Sequence, residues 1–374
     1  MMKMVFAPDS FKGTLSAFEV TGLLTKAARE VVGNCEIISI PAADGGEGTT
    51  EAVICAVNGQ KVYSTVHDPV MRERQAYYGR ISDRIAIMEM AQASGLTLIS
   101  ETERNPLETT SFGAGELLKA ILDAGCSDIY VSIGGSATND GGMGFATALG
   151  VRFYDKSNKL LSGKGADLEK VDHIDMSDLC EAALKAKITV LSDVDNYLCG
   201  EKGATYTYGR QKGGTPEMLD RLEKGMQNYR KVMIKETGTD PDKIKGSGAA
   251  GGLGAALAVF LNAKMKPGID MVLELTDFDE KIKGADLIVT GEGRSDSSSV
   301  YGKVVCGVGE HALKAGIPVY ALCGSLGEGY EELYQHGIRS FITAVALPMT
   351  EKEAFEKAEE LVYKAAVRLF RMVV

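Results

Sequence analysis

The sequence predicts an α/β fold, with a Rossmann-like parallel-sheet domain and a second, smaller mixed α/β domain inserted into it. Three observations support this prediction. The chain of 374 residues is longer than one ordinary hydrophobic core accommodates, short apolar runs alternate with amphipathic stretches along much of it, and two stretches interrupt that alternation. We therefore expect a ligand-binding cleft between two domains, because small molecules usually bind at such places.

The parallel-sheet domain is predicted from strand–loop–helix units. The first unit has an apolar run at 4–7, a polar loop and an amphipathic stretch from about 17 to 31, and residues 36–40 provide the next strand. Further along, a helix at 116–124 precedes a strand at 129–133. This alternation is typical of parallel α/β sheets.

The C-terminal part of the chain repeats the unit, with strands predicted at 287–290, 319–322 and 341–345. A long final helix is predicted from about Thr350. Apolar residues at spacings of three and four indicate that one face of this helix packs against a sheet, and they are Phe355, Ala358, Leu361, Val362, Ala365, Leu369 and Met372.

Two stretches differ from this pattern. Residues 61–90 alternate apolar and polar side chains, as antiparallel hairpins do. Residues 151–245 are mixed, with a strand at 188–191 and a charged helix at 216–235. We therefore assign residues 61–99 and 151–245 to the second domain, and residues 1–60, 100–150 and 246–374 to the Rossmann-like domain.

Composition excludes several functions. A net charge of −10 argues against a nucleic-acid partner, which requires a concentrated basic surface, and no apolar run reaches the roughly 18 residues of a membrane span. The N-terminus lacks the hydrophobic segment of a secretory signal, so a cytoplasmic location is expected. The seven scattered cysteines and four histidines form no zinc motif. Whether the chain forms a homo-oligomer is left open.

Glycine-rich loops follow several predicted strands, where open α/β sheets bind ligands. Glycine allows backbone N–H groups to approach a phosphate closely, and a helix that starts just after the loop adds its positive end. The alternative is that these glycines only form tight turns. The loops are 9–14, 44–49, 134–142, 246–252 and 291–296.

Two known nucleotide fingerprints do not account for these loops. The Walker A pattern is absent, because neither Gly163-Lys164 nor Gly302-Lys303 is followed by Ser or Thr. The spacing Gly246-x-Gly248-x-x-Gly251 matches the dinucleotide pattern, and Asp270 lies about twenty residues further on. Residues 240–245 before it are charged and turn-like instead of a buried strand, which argues against a nicotinamide site.

Charged residues in or near these loops have the properties that phosphoryl transfer requires: cations for phosphate oxygens, and carboxylates for Mg²⁺ or for the acceptor proton. Lys12, Arg294 and Lys303 are the candidate cations. Asp193 and Asp195 follow a predicted strand at alternate positions, so extended backbone would point both to one side; a solvated turn is the alternative. Five other carboxylates could equally cap helices: Asp44, Glu47, Asp140, Glu292 and Asp296.

In these loops the chain resembles the bacterial type 1 glycerate kinase family. Five motifs carry the resemblance in order: Ala-Pro-Asp-Ser-Phe-Lys-Gly at 7–13, Ala-Asp-Gly-Gly-Glu-Gly-Thr at 43–49, Gly-Gly-Ser-Ala-Thr-Asn-Asp-Gly-Gly at 134–142, Gly-Ala-Ala-Gly-Gly-Leu-Gly at 248–254 and Gly-Glu-Gly-Arg at 291–294. The resemblance implies transfer of the ATP γ-phosphate to D-glycerate with Mg²⁺, usually giving 2-phosphoglycerate. Phosphorylation of the 3-hydroxyl and a non-catalytic small-anion or nucleotide-binding regulatory protein are the alternatives.

With this resemblance, each candidate residue receives an expected role. Lys12 and Arg294 would neutralise the glycerate carboxylate or the transferring phosphoryl group, and Asp9, Ser10 and Asp44 would also contact the substrate. Asp193 or Asp195 would take the hydroxyl proton, with Asp193 and Asp296 as metal ligands. The residues expected to hold nucleotide phosphates are Gly134, Gly135, Ser136, Asn139, Gly248, Gly251, Gly252, Gly291 and Gly293.

The sequence also departs from the family pattern. Tyr197 and Arg210 stand where relatives often have proline, and residues 296–301 differ from the usual Asp-Gly-Gln-Thr segment. These differences leave the acidic residues in place but bear on the preference for the acceptor.

Overall fold

The structure is a computed structural model that describes residues 1–373. In chain order its strands are β1 (Met2–Pro8), β2 (Cys35–Ser39), β3 (Gln60–His67), β4 (Glu73–Arg80), β5 (Ile85–Glu89), β6 (Asp128–Ser132), β7 (Arg152–Asp155), β8 (Val171–Asp175), β9 (Lys187–Leu191), β10 (Lys264–Lys266), β11 (Leu287–Ser295), β12 (Val319–Leu326) and β13 (Ile338–Thr343).

The α-helices are α1 (Ala17–Val31), α2 (Thr49–Val57), α3 (Ala91–Ser94), α4 (Phe112–Asp123), α5 (Met143–Ala148), α6 (Glu181–Lys185), α7 (Ala204–Tyr208), α8 (Pro216–Thr237), α9 (Ala249–Leu261), α10 (Gly268–Leu275), α11 (Phe278–Lys281), α12 (Val304–Ala315), α13 (Glu351–Glu356) and α14 (Ala358–Val373). The chain divides into two compact units. Unit 1 comprises residues 1–59 and the part from Pro267 onward, and unit 2 comprises residues 60–266.

Unit 1 is built on a five-stranded sheet in the order β13-β12-β11-β1-β2, and all of its strand pairs are parallel. Successive residues of a strand face opposite sides of the sheet. Accordingly Met4 and Phe6 of β1 pack in a core with α1 and α14, whereas Val5 and Ala7 pack with α10 and α12. Helices therefore cover both faces, as the Rossmann-like prediction requires.

Unit 2 contains a six-stranded mixed sheet in the order β10-β9-β6-β5-β4-β3. The predicted antiparallel segment is confirmed, since β3 pairs with β4 and β4 with β5 in antiparallel register. The other strands are parallel, with β6 between β5 and β9, and β10 beside β9. One large core, from Val66 to Ala263, supports this sheet.

The predicted domain boundaries differ from the structure in two places. Residues 100–150 and 246–266 lie in unit 2 and not with the Rossmann-like unit, because β6 is hydrogen-bonded between β5 and β9 and because β10 pairs with β9. Unit 2 is consequently the longer of the two units, whereas the inserted domain was expected to be the smaller.

The predicted final helix also differs in detail. It is divided at Lys357 into α13 and α14. Val362, Ala365 and Leu369 are buried as predicted, but Phe355 is 49% exposed and Met372 is 67% exposed. Phe355 lines a cavity instead of the core.

Among the described residues, no helix is both long and apolar enough to cross a membrane.

Candidate functional site

A cavity of about 670 Å³ opens in unit 1 beyond the carboxyl ends of the parallel strands, which is where open α/β sheets bind ligands. Polar residues at or after the ends of four strands, β1, β2, β11 and β12, line it together with an apolar wall from α13 and α14. The polar lining includes Asp9, Ser10, Lys12, Asp44, Glu292, Arg294, Asp296, Lys303 and Ser325. Every site residue predicted near the N-terminus, with Arg294 and Asp296, therefore lies around one cavity.

The opening results from the unequal lengths of neighbouring strands. β1 follows β11 as far as the Pro8–Gly291 pair, where the N–H of Asp9 donates to the Gly291 carbonyl over 2.8 Å. β11 continues to Ser295 with only β12 beside it, as the Glu292–Cys323 pair shows. The backbone on the other side of Glu292 and Gly293 is thus available to the cavity.

Asp9 is the most perturbed carboxyl group of the cavity. Its side chain is buried, and its residue is only 5% exposed. Burial, followed by the charge of Asp44, raises the pKa of Asp9 to about 7, although the Ser10 N–H donates to its Oδ1 over 2.6 Å and Lys12 acts in the opposite direction. A carboxyl group with this pKa can both accept and release a proton near neutral pH.

Glu292 is a second buried carboxyl group. Burial raises its pKa even though the Ser295 hydroxyl donates to Oε1 over 2.7 Å and the Lys303 Nζ lies 3.8 Å from Oε2. Glu292 could not be ranked above the other loop carboxylates from the sequence, because the strand that pairs with it, β12, is distant in sequence.

The cations of the cavity are held loosely. Lys12 Nζ lies 3.7 Å from Asp44 Oδ2, and Arg294 Nε lies 3.4 Å from Asp296 Oδ2. The side chains of Lys12 and Arg294 are 71% and 66% exposed. Exposed ion pairs of this kind contribute little free energy, so both cations can reorient toward the anionic groups of a ligand.

Asp296 is occupied by local contacts. Its Oδ1 accepts hydrogen bonds from the Ser298 N–H at 3.0 Å and from the Ser298 hydroxyl at 2.6 Å, which lowers the pKa of Asp296. Its Oδ2 faces Arg294. Asp296 therefore caps the short 3₁₀ helix Ser297–Val300, and this geometry does not favour the predicted role as a metal ligand.

Asp193 and Asp195 lie in unit 2, on the loop after β9, and both are exposed. The Lys245 ammonium donates to Asp195 Oδ2 over 3.0 Å, and the Asp195 side chain is 78% exposed. Neither residue therefore has the burial that the cavity gives to Asp9.

The predicted nucleotide loops 134–142 and 246–252 contact each other inside unit 2. The Gly141 N–H donates to the Gly251 carbonyl over 3.0 Å. A Cβ at Gly251 would lie 2.0 Å from the Thr138 carbonyl oxygen, and one at Gly252 would lie 2.7 Å from Gly141 Cα. These glycines are thus required by loop-to-loop packing, whatever further role they have.

The other predicted nucleotide residues have varied surroundings. Gly134 and Gly135 begin the loop after β6, and Gly135 has a φ of 74° that suits glycine. A Cβ at Gly248 would approach the Tyr197 carbonyl oxygen to 2.1 Å, and one at Gly291 would approach that of Leu322 to 1.9 Å. Gly293, by contrast, would meet nothing closer than 3.5 Å and lines the cavity.

Loop 134–142 contains two polar residues that were predicted to hold the nucleotide, Ser136 and Asn139. Asn139 is fully buried, and its Nδ2 donates to Thr205 Oγ1 over 3.1 Å. Asp140, named only as an alternative, accepts from the Ser111 N–H at 2.7 Å. Ser136 Oγ accepts a hydrogen bond from Lys212. Lys212 was not predicted, because a lysine in a polar stretch gives no local sign of burial.

The fold and the cavity together define an α/β protein with a polar ligand site at the carboxyl ends of its parallel strands. The chain belongs to the glycerate kinase family, because residues 4–374 match the sequence model of the "Glycerate kinase family". The resemblance drawn from the five motifs is thereby confirmed.

Individual relatives agree with this assignment. The chain is 43% identical over 367 residues to the glycerate kinase of Halalkalibacterium halodurans, covering 98% of this chain and 97% of that protein. It is 40% identical over 366 residues to the glycerate 2-kinase of Escherichia coli, covering 98% and 96%. A crystal structure of a Salmonella typhimurium protein assigned as a glycerate kinase 2 is 39% identical, covers 100% of this chain and 98% of that one, and superposes with a TM-score of 0.89. The predicted fold class is confirmed by this match.

Proposed function

We propose that the chain transfers the γ-phosphate of ATP to the 2-hydroxyl of D-glycerate, giving 2-phospho-D-glycerate and ADP. The observation that carries the proposal is the end-to-end match to the glycerate kinase family, which includes a relative named glycerate 2-kinase. The cavity of unit 1 supports it, because loosely held cations and a carboxyl group with a pKa near 7 surround one space.

In this proposal the unit 1 cavity binds glycerate. Lys12 and Arg294 are the exposed cations that would neutralise the carboxylate of the substrate, and Ser10 and Asp44 lie beside Lys12 at the same edge. The apolar wall that includes Phe355 would exclude water from the other side of the substrate. A three-carbon acid needs only a small part of a 670 Å³ cavity, which leaves room for a phosphoryl group.

Asp9 is the residue we assign as general base. It would take the proton from the 2-hydroxyl as the oxygen attacks the γ-phosphorus, the bond to the ADP oxygen breaks, and ADP leaves with the electron pair. A base works best when its pKa is near the working pH, and the pKa of Asp9 is about 7. This assignment replaces Asp193 and Asp195 as the first candidates for the base.

Mg²⁺ is proposed as the companion of ATP, since kinases use it to neutralise charge on the phosphate oxygens. Mg²⁺ prefers oxygen ligands. Of the two predicted ligands, Asp193 lies exposed on the loop after β9, in the same unit as the proposed nucleotide loops, whereas Asp296 lies in unit 1 and caps the 3₁₀ helix Ser297–Val300. We therefore retain Asp193 as the protein group that would hold the ion. The glycine loops 134–142 and 246–252 remain the proposed nucleotide site.

The proposal is tested by incubating the chain with Mg·ATP and D-glycerate and recording phosphorus NMR spectra. A 2-phosphate is coupled to one proton and gives a doublet, whereas a 3-phosphate is coupled to two protons and gives a triplet. We expect ADP and a doublet. A triplet would indicate phosphorylation of the 3-hydroxyl, and glycerate binding without any ester would indicate a regulatory binding protein.

A further inference from the structure

Lys212 is a buried lysine for which the proposed reaction gives no role. Its residue is 1% exposed, although Gln211 and Gly213 on either side are exposed. Within the described residues no carboxylate forms an ion pair with it. A buried ammonium group without a paired carboxylate is costly, and perturbed charged groups of this kind are concentrated at functional sites.

Both hydrogen-bond partners of Lys212 belong to loop 134–142. Its Nζ donates to Ser136 Oγ over 2.8 Å and to the Thr138 carbonyl oxygen over 2.7 Å. Backbone hydrogen bonds hold the residues between and before these two, since the Ala137 N–H donates to the Ser94 carbonyl and the Leu96 N–H donates to the Gly135 carbonyl. These bonds form a β-bridge between Gly95 and Ser136. Lys212 adds a contact to the side chain of Ser136 and one to the backbone of Thr138.

The same loops contain buried polar atoms without partners. Thr138 Oγ1, Asn139 Oδ1 and Ser247 Oγ are buried and accept or donate no hydrogen bond within the described residues. Buried polar atoms in native proteins are nearly always paired. Loops 134–142 and 246–252 therefore retain hydrogen-bonding capacity for a group that is not part of the chain.

We propose that Lys212 is a positioning residue of loop 134–142, and that its positive charge, applied to this loop from the protein interior, favours the binding of nucleotide phosphates. The proposal rests on the proposed kinase function for the identity of the ligand. The part of the proposal that concerns structure, namely that Lys212 positions Ser136 and Thr138, does not depend on the kinase function.

The charge and the hydrogen bonds of Lys212 can be separated by pH. Burial lowers the pKa of Lys212 to about 7, and Asp140 acts in the opposite direction. The other titratable group near Asp140 is Tyr229 of α8, whose pKa burial raises, so it stays neutral in this range. An ammonium has three N–H donors and an amine has two. Both forms can therefore make the two observed bonds, and only the charge is lost as the pH rises.

The test compares the wild type with Lys212→Met, which has no charge and no donor, and with Lys212→Arg. Lys170→Met is the matched control, because Lys170 is half-exposed in the same unit and pairs only with Asp167. Binding of Mg·ATP is measured by calorimetry at pH 6 and pH 8, and amide exchange is measured for peptides covering 134–142. Each variant is compared with the wild type at the same pH, because the protonation of ATP then affects both affinities equally.

At pH 6 we expect Lys212→Met to bind Mg·ATP about tenfold more weakly than the wild type, and to show faster exchange in loop 134–142. This tenfold difference in affinity should shrink toward pH 8, where Lys212 of the wild type has lost most of its positive charge. The KM for ATP should rise while kcat at saturating ATP stays within about threefold. Lys212→Arg should restore the affinity for Mg·ATP, and this affinity should no longer follow the titration of residue 212, because arginine stays charged at both values of pH.

Equal affinity and equal loop exchange in Lys212→Met would overturn the proposal. If the wild type neither binds ATP nor forms a phosphate ester, the proposed function fails, and loop exchange still decides whether Lys212 positions the loop. If Lys212→Met does not fold, the affinity of the wild type for Mg·ATP is measured at pH 6 and pH 8. A change in this affinity no larger than the ionisation of ATP requires would contradict a role for the charge of Lys212.

Discussion

At the scale of single residues, the most consequential group is Asp9. We predict that Asp9→Asn lowers kcat by about 10² to 10⁴, because the amide cannot accept the hydroxyl proton. In the wild type, kcat/KM should rise between pH 6 and pH 8 and then level off, since Asp9 must be ionised to act as a base and its pKa is about 7. Initial rates across this range measure both effects.

The linkage between folding and protonation gives Asp9 a second, independent test. Burial raises its pKa from 3.8 to about 7, so between these values the folded chain holds a proton that the unfolded chain releases. Stability from this group is present at low pH and is lost as the pH rises through 7. We predict that at pH 8 Asp9→Asn has a free energy of unfolding roughly 2–4 kcal/mol above that of the wild type, and nearly the same value at pH 4. Urea unfolding at both values of pH measures it, and an equal difference at both would contradict a raised pKa.

The two carboxylates predicted from the sequence as base candidates provide a comparison. We predict that Asp195→Asn keeps kcat within about twofold, because Asp195 is exposed and only contacts Lys245. Asp193→Asn should raise the Mg²⁺ concentration needed for half-maximal rate if Asp193 holds the ion. Steady-state rates at varied Mg²⁺ measure both. A loss of more than about a hundredfold in Asp195→Asn would restore the original assignment of the base.

Site residues could be predicted from the sequence only where local residues determine their surroundings. The alternate spacing of Asp193 and Asp195 indicated a common side, and both are exposed, whereas Asp9 is buried in the cavity. Asp9, Lys12 and Arg294 were identified because their motifs follow strands. Lys212 was missed, since a lysine between exposed residues gives no local sign of burial.

At the scale of elements, the contact between loops 134–142 and 246–252 makes a steric prediction. We predict that Gly251→Ala lowers the free energy of unfolding by about 3 kcal/mol or more, because its Cβ would lie 2.0 Å from the Thr138 carbonyl oxygen. Gly238→Ala is the matched control in the same unit, since Gly238 has a similar φ of 74° and no atom within 4 Å of its Cβ position. Gly238→Ala should lower the free energy of unfolding by only about 1 kcal/mol.

Chemical denaturation of both variants measures the difference. Equal losses for Gly251→Ala and Gly238→Ala would show that the left-handed backbone, and not the contact between the loops, is the reason for glycine at position 251.

The positions of helices and strands were predicted better than the pairing of strands into sheets. The helix at 116–124 and the strands at 129–133 and 188–191 correspond to α4, β6 and β9. Periodicity is a local property, whereas sheet membership depends on residues that are distant in sequence, such as the β6 partners in β5 and β9. This is why residues 100–150 were assigned to the wrong unit.

At the scale of the whole molecule, unit 2 is one continuous segment with a core of its own. We predict that residues 60–266 expressed alone form a cooperatively folded protein, because every strand of their six-stranded sheet lies within the segment. A single sigmoidal thermal transition by circular dichroism, with dispersed amide NMR signals, is the expected result. A broad, non-cooperative transition would contradict the independence of this unit.

Unit 1 has the opposite construction, which affects its synthesis in the cell. β1 emerges first from the ribosome, yet its partner β11 begins at Leu287. At typical elongation rates β1 waits roughly 15–60 s for this partner, while all of residues 60–266 is already available to fold. A nascent chain that stops before Leu287 would therefore contain a complete unit 2 and no cavity, since Glu292 and Arg294 would be missing. The order of translation thus separates the time at which most of the chain folds from the time at which the proposed enzyme becomes active.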